Sequence, residues 1–318
     1  MTPDDLNRRA FLKTAGATAL GAAWGEFGGD IARAAELAGD IPTRTLGRTG
    51  LKVTMIGLGG YHAGFPDKEE DSISVIHRAL DLGINFFDNA DCYQEGRAEE
   101  RMGKALEGRR DKIYLMTKVD QRDAEGSRAT LERSLRRLRT DHLDLWQFHG
   151  VMKMEDLEKI FGPGGAMETA QKAKQEGKIR FIGVTGHFDP EVHLAFIKHF
   201  DFDTVQMPIN VVDPHFKSFR KTVVDEAVKR NIGVIAMKTL SFGTIFTKGV
   251  ALVAEALPWV WSQPISVLVS GCDTVAWLNY NVYLAKTFKP MPEAAQAVLL
   301  ERTKPFAGIE IEEHKRPA

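Results

Sequence analysis

The chain has 318 residues, 43% of them hydrophobic, enough to bury a sizeable core in one large domain or two average ones. Its 42 Lys and Arg are balanced by 43 Asp and Glu, for a formal net charge of -1. Such a balance supplies no field to gather nucleic acid or anionic lipid, so neither partner is expected.

The first residues differ in kind from the rest. Asn7-Arg8-Arg9-Ala10-Phe11-Leu12-Lys13 carries paired arginines, a small-residue apolar stretch follows from Thr14 to Trp24, and Ala32-Arg33-Ala34 reads as a cleavage site. Residues 1–34 thus read as a twin-arginine signal peptide, with the twin-arginine export machinery as a partner and the periplasm as the address. The apolar run is too short to cross a hydrocarbon core of roughly 30 Å, so no stable membrane span is expected. An uncleaved interfacial helix is the alternative.

From Pro42 onward, strand and helix signals alternate with short links. Val53 to Gly59 reads as a strand and Lys68 to Leu82 as a helix stopped by Gly83. The run Ile84, Phe86, Phe87 is a short strand buried on both faces, and it ends in Asp88. Arg97 to Gly108 is amphipathic, and Lys112 to Val119 is a strand carrying Lys118 near its end. Ser127 to Thr140 sets Leu131, Leu135 and Leu138 on one helical face, and the strand from Leu143 runs out at His149. Met154 to Gly177 holds the next helix, interrupted or preceded by the loop Gly162-Pro-Gly-Gly165. Strands then fall at Ile179 to Val184, Thr204 to Met207, Gly233 to Met237 and Ser266 to Val269. Helices at Pro190 to His199, Lys217 to Arg230 and Val250 to Ser262 separate them, and residues 292–303 form a terminal helix. Eight strands with helices between them imply a parallel sheet closed into a single (β/α)8 TIM barrel, with no internal boundary for a second domain. The tail, residues 304–318, is expected to fray at His314-Lys-Arg-Pro-Ala.

In such a barrel the C-terminal ends of the strands open on one face, so Asp88, Lys118 and His149 converge there, joined by Tyr93. A carboxylate at a buried strand end needs a cation, and Lys118 is the partner at hand. Cys92 and Cys272 follow strands separated by a third, too far apart for a bridge, so both are expected to be free thiols. Two cysteines also exclude an iron-sulfur cluster with four cysteine ligands.

These motifs resemble the aldo-keto reductases. The likeness rests on Phe87-Asp88-x-Ala90-x-x-Tyr93, on Thr117-Lys118 and on Asp144-Leu-x-x-x-His149. Leu46-Gly-Arg-Thr-Gly-Leu51-x-Val53 looks like the family's opening β-hairpin, and Val269-Ser-Gly271 followed by Asn281 looks like its cofactor loop. The resemblance implies a reductase barrel over residues 43–303, transferring a hydride between NADP(H) or NAD(H) and a carbonyl or alcohol substrate. It implies Tyr93 as general acid/base and His149 as the group that donates a hydrogen bond to the carbonyl. Lys118 and Asp88 then form a pair that lowers the phenol's pKa.

Toward the cofactor, the resemblance implies Thr185 as one carboxamide contact and Gln206 as another. Gly186 stands where the family has an asparagine and offers no side chain, so His187 either substitutes for it or is a surface histidine. Lys238 meets a phosphate or a substrate, or is simply solvated. Gly271 and Asp273 belong to the loop, Ser270 to Thr274, that meets the pyrophosphate and adenosine ribose, with Asn281 near the adenine. An acid at 273 favours a free ribose hydroxyl over a phosphate, so NADH is expected to bind at least as tightly as NADPH. The substrate pocket is expected among Tyr61, His62, Phe65, Met152 and Phe242. Two other readings compete: a non-catalytic dinucleotide-binding regulatory or partner subunit, and a Schiff-base aldolase using Lys118, against which the Asp88 pairing argues.

Overall fold

The computed structural model describes residues 31–36 and 38–316; the twin-arginine segment and the apolar stretch after it lie outside the described residues. A two-stranded antiparallel hairpin, β1 (Thr43–Thr45) with β2 (Lys52–Thr54), precedes the barrel. Among the described residues eight strands then close in parallel. They are β3 (Ile56–Gly59), β4 (Phe86–Asp88), β5 (Tyr114–Val119), β6 (Leu143–Phe148), β7 (Ile179–Thr185), β8 (Thr204–Pro208), β9 (Gly233–Met237) and β10 (Val267–Gly271). Closure is made by β10, which pairs with β9 on one side and β3 on the other.

Helices wrap the outside. They are α1 (Glu69–Asp81), α2 (Arg97–Ala105), α3 (Ala124–Arg137), α4 (Met154–Phe161), α5 (Ala166–Gln175), α6 (Pro190–His199), α7 (Asp225–Lys229), α8 (Thr244–Thr247), α9 (Val253–Trp261), α10 (Val275–Lys286) and α11 (Glu293–Thr303). The glycine run at 162–165 separates α4 from α5, so it interrupts the expected helix rather than preceding it. Elsewhere the boundaries need correction. Lys217 to Arg230 is not one α-helix: Arg220–Val224 is a π turn, and only Asp225–Lys229 continues as α. The 12-residue helix α10, which carries Asn281, directly follows the expected cofactor loop and is an element the sequence did not announce.

Two apolar layers explain which side chains face the site. Phe87, Leu115, Trp146 and Val184 pack outward beneath the helices. Phe86, Met116, Leu145, Ile235, Met237, Val267 and Val269 fill the barrel itself, and Leu46, Leu51 and Val53 of the hairpin plug its lower end. Because side chains alternate along a strand, the residue two beyond each inner apolar residue also points inward, but at the mouth. By that period Phe86 leads to Asp88, Met116 to Lys118, and Leu145 to Gln147 and then His149. The polar set is the next inward layer of the same barrel.

The tail does not fray as expected. Ile311, Glu312, His314 and Lys315 are buried against the loops that follow β7, β8 and β9. The Lys315 ammonium donates to Asp213 Oδ1 at 2.8 Å, to Glu312 Oε2 at 2.9 Å and to the Phe216 carbonyl at 2.7 Å. A fully buried cation with two carboxylates and a carbonyl is anchored, because each partner would otherwise be left charged or polar without water.

Candidate active site

Lys118 is the hub of the mouth. Its ammonium donates to Asp88 Oδ1 in a close ion pair, to the Asn89 carbonyl at 2.6 Å and to the Tyr93 hydroxyl at 3.1 Å. Three acceptors exhaust the three protons of an ammonium. Behind Asp88 runs a chain of amides: Gln206 Nε2 donates to Asp88 Oδ2, and Gln147 Nε2 donates to Gln206 Oε1, both at 2.8 Å. Asp88 therefore sets the direction of both amides. Gly60 lies so close to the Asp88 carbonyl that an added Cβ would sit 2.3 Å from it, which leaves room there for glycine alone.

Tyr93 enters on the turn after β4, just before Gln94 and Glu95, both in the left-handed region at φ 45° and 59°. Its ring meets Tyr61 at 5.1 Å and His149 at 5.8 Å, both edge-on. The expected lowering of its pKa is not what the structure gives. Burial pushes the phenol well above its ordinary range, and the Asp88 carboxylate adds to the rise. The charge of Lys118 is spent on Asp88, so the Tyr93 phenol stays protonated.

His149 is paired with a carboxylate at the same mouth. Its Nδ1 lies 2.9 Å from Asp120 Oδ1. Burial would raise the Asp120 carboxyl, but hydrogen bonds from His149 and Cys92 outweigh it and hold the group at about 2. Burial lowers the His149 pKa, so the ring is neutral with its proton on Nδ1, facing the ionised carboxylate. Nε2 is then an acceptor. Arg122 braces the same corner, donating to the His149 carbonyl at 2.7 Å and to Asp156 at 3.0 Å. Neither Asp120 nor Arg122 was singled out from the sequence, although Asp120 follows the Lys118 strand within two residues.

Toward β7 the structure offers a polar atom for a ligand. Thr185 is buried at the strand end, and its Oγ1 has no hydrogen-bond partner among the described residues. Gly186 is closed to any side chain: an added Cβ would lie 2.5 Å from the Val151 carbonyl and 2.8 Å from the His193 ring. His187 is bound to the tail, with Nδ1 2.6 Å from the His314 carbonyl. Burial and the nearby Lys238 lower its pKa to about 4, which makes Nδ1 of the neutral ring the donor to that carbonyl.

Lys238 sits at the same mouth in a left-handed conformation at φ 54°. Its ammonium lies 3.6 Å from the centre of the Phe242 ring and 5.6 Å from that of Tyr61. Burial, with repulsion from Lys118 behind it, lowers its pKa to about 7. Of the expected pocket residues, Tyr61, Phe65, His62 and Phe242 form one aromatic cluster at the rim.

The last loop is arranged differently from an open cradle. An added Cβ at Gly271 would overlap the His62 ring, and His62 Nε2 lies 3.5 Å from Asp273 Oδ1 on the exposed side. Asn281 is buried, with its amide donating to Ser270 Oγ at 3.0 Å, so it holds the loop from beneath. Asp144 of the third motif is likewise structural: Arg110 and Arg180 clamp its carboxylate at 2.9 and 2.7 Å. Cys92 and Cys272 are free thiols, one exposed and one buried.

The chain is 31% identical over 182 residues to the uncharacterized oxidoreductase YqkF of Bacillus subtilis, a match covering 54% of this chain and 56% of that protein. It is 30% identical over 224 residues to the L-galactose dehydrogenase of Arabidopsis thaliana, covering 66% of this chain and 68% of that one. The chain thus spans between about half and two thirds of the length of these curated relatives. Among solved structures, the holo form of an aldo-keto reductase from Bacillus halodurans superposes with a TM-score of 0.72 at 23% identity, over 87% of this chain and all of that one. An aldo/keto reductase from Klebsiella pneumoniae in complex with NADP and acetate gives 0.69 at 22% identity, over 83% and 95%. At those identities the likeness speaks for the fold. The Aldo/keto reductase family model matches residues 55–252, more than half of the sequence, and by that match the chain belongs to the aldo/keto reductase family.

Proposed function

We propose that this barrel is an oxidoreductase that interconverts a carbonyl and its alcohol with NADP(H) or NAD(H), and that Tyr93 moves the proton. The observation that carries this reading is the Lys118 ammonium, which bonds the Asp88 carboxylate on one side and the Tyr93 hydroxyl on the other. A phenol held protonated beside a fixed cation is a competent acid. As Tyr93 gives its proton to a developing alkoxide, Lys118 already lies 3.1 Å from the phenolate oxygen that remains. The neutral His149 Nε2, as an acceptor, suits the hydroxyl of an alcohol; donating to a carbonyl needs the proton on that nitrogen.

The cofactor fits the residues present in part. The unpartnered Thr185 Oγ1 is the place for the carboxamide of a nicotinamide, and Lys238 is the cation within reach of a phosphate. Gln206 is already bound to Asp88 and Gln147, and Gly186 contributes no side chain, so the grip on the carboxamide is lighter on this side. Bound there, the group supplies the hydride. The Klebsiella pneumoniae relative solved with NADP supports this class of cofactor.

The test is a carbonyl panel with each dinucleotide, run on the wild type and on Tyr93→Phe. A loss of about 10²- to 10⁴-fold in kcat with unchanged dinucleotide affinity is expected. Equal rates in the two proteins would instead favour a dinucleotide-binding partner subunit. The exposed Asp273 leads to NADH binding at least as tightly as NADPH, and a fluorescence titration with NADPH tighter by about tenfold overturns that preference. We further infer export: Arg8→Lys together with Arg9→Lys should hold the protein in the cytoplasm, and export of that variant removes the twin-arginine reading.

A further inference from the structure

We infer that Cys92, Asp120 and His149 form a binding site for a thiophilic divalent cation of the zinc type at the rim of the barrel mouth. The Cys92 Sγ, a carboxylate oxygen of Asp120 and a ring nitrogen of His149 all lie within 4.8 Å of one another. Cys92 Sγ is 3.5 Å from His149 Nδ1. A tetrahedral ion with a metal–sulfur bond of about 2.3 Å and a metal–nitrogen bond of about 2.0–2.1 Å holds those atoms about 3.5–3.6 Å apart, so this pair already has the required bite. The same geometry needs roughly 3.3 Å between oxygen and nitrogen, against the 2.9 Å between Asp120 and His149. Asp120 must withdraw by only a few tenths of an ångström, and it is an exposed side chain free to do so.

The donor set suits the ion in charge and in access. One thiolate and one carboxylate neutralise a divalent cation, and three protein ligands leave a fourth position for water, the pattern of an accessible site. Cys92 and Asp120 are both exposed, so a hydrated ion can reach them. The charges facing the cluster oppose one another: Lys118 disfavours a cation, while Asp91 beside Cys92 favours it. Arg122 braces the His149 backbone and bonds Asp120 through its carbonyl alone, which leaves the Asp120 carboxylate to the metal.

Binding is balanced by one proton. The Cys92 S–H proton leaves to solvent as the metal–sulfur bond forms. The His149 Nδ1 lone pair takes the metal, and its proton is relocated to Nε2. Occupancy therefore turns Nε2 from an acceptor into a donor toward the mouth. That consequence for a carbonyl substrate rests on the reductase reading above, whereas the cation site does not.

The test uses the full chain, freed of metal by a chelator and titrated with Co²⁺. The expected result is one equivalent of bound Co²⁺ with a thiolate-to-metal charge-transfer band in the near ultraviolet. Zn²⁺ should displace it, and about one proton should be released per ion. Cys92→Ser should abolish the band, Asp120→Asn should weaken binding by about tenfold or more, and Cys272→Ser should leave the spectrum unchanged. Absence of the band in a wild type whose near-ultraviolet circular dichroism is native overturns the site, as does a band that survives in Cys92→Ser.

Discussion

Replacing Asp88 by Asn would change one atom, yet the bonds around it show why that change should matter. The carboxylate accepts from Lys118 on one oxygen and from Gln206 on the other, and Gln206 in turn accepts from Gln147. An asparagine turns an N–H₂ toward one of two donors, so either the buried lysine or the amide chain loses its acceptor. We expect Asp88→Asn to cost about 3–5 kcal/mol in urea denaturation, the usual penalty for leaving a buried ion without its counter-charge. A cost under about 1 kcal/mol would mean that water reaches Lys118. Lys238 yields a prediction of the opposite sign. Its pKa falls from 10.5 to about 7, so between those values the unfolded chain holds a proton that the folded one does not. Stability therefore rises with pH across that window, and the full penalty applies at and below about pH 7, where both states are protonated. Lys238→Met should stabilise the protein by about 1–3 kcal/mol at about pH 6.5, a value discounted for the side chain's partial exposure, and by little near pH 10. Denaturation at both pH values checks this; a gain independent of pH would point to packing instead. That Asp88, Tyr93, Lys118 and His149 gather at one mouth was legible because strand ends in a barrel converge. Their electrostatics were not, because a pKa depends on burial and on neighbours such as Asp120 that carry no mark in the sequence.

At the scale of elements, the C-terminal tail departs furthest from expectation. Its charges read as solvated because their partner, Asp213, lies 102 residues from Lys315 and nothing local announces the pairing. In the fold the tail locks three loops together. Asp213 also accepts from Ser218 Oγ and from the backbone N–H groups of Phe219 and Arg220, Asn210 donates to Glu312, and Ser241 donates to the Ile311 carbonyl. His314 is buried beside His187 and Lys238, so the tail also forms one wall of the mouth. Lys315→Met should leave Asp213 and Glu312 without their shared cation and cost about 3–5 kcal/mol if the tail stays in place. The tail has a cheaper response, which is to release, and hydrogen exchange distinguishes the two. Release predicts faster exchange across residues 209–219, 238–243 and 311–316, with the barrel strands β3 to β6 unchanged. Uniformly faster exchange throughout the chain would show that the tail contributes to global stability rather than to a local lock. The hidden helix α10 and the π turn at Arg220–Val224 were missed for a related reason: neither shows the clean apolar period that made α3 and α6 readable.

Across the whole molecule, the order of strands was legible because a parallel sheet with helices between its strands has few topologies, and eight such units close on themselves. A closed barrel has two ends, and here they are built from different material. The mouth is a layer of polar side chains, while the floor is a plug of apolar ones contributed by the hairpin before β3. Leu46 is fully buried in that plug, and its neighbour Gly47 presses so closely on β9 that an added Cβ would lie 2.2 Å from the Gly233 nitrogen. The floor is therefore tightly packed and has little room to collapse around a missing side chain. Leu46→Ala should cost about 2–5 kcal/mol, the range for a buried leucine whose cavity cannot close. Between this plug and the Lys118 hub lies the inner layer of Phe86, Met116 and Leu145, which holds the strand ends in register whether or not the floor is intact. At a temperature where the variant is still folded, kcat and KM should then match the wild type, while urea denaturation shows the loss in full. A fall in kcat that tracks the loss of stability, under conditions where circular dichroism shows the native fold, would mean that the two ends of the barrel are mechanically coupled through that layer.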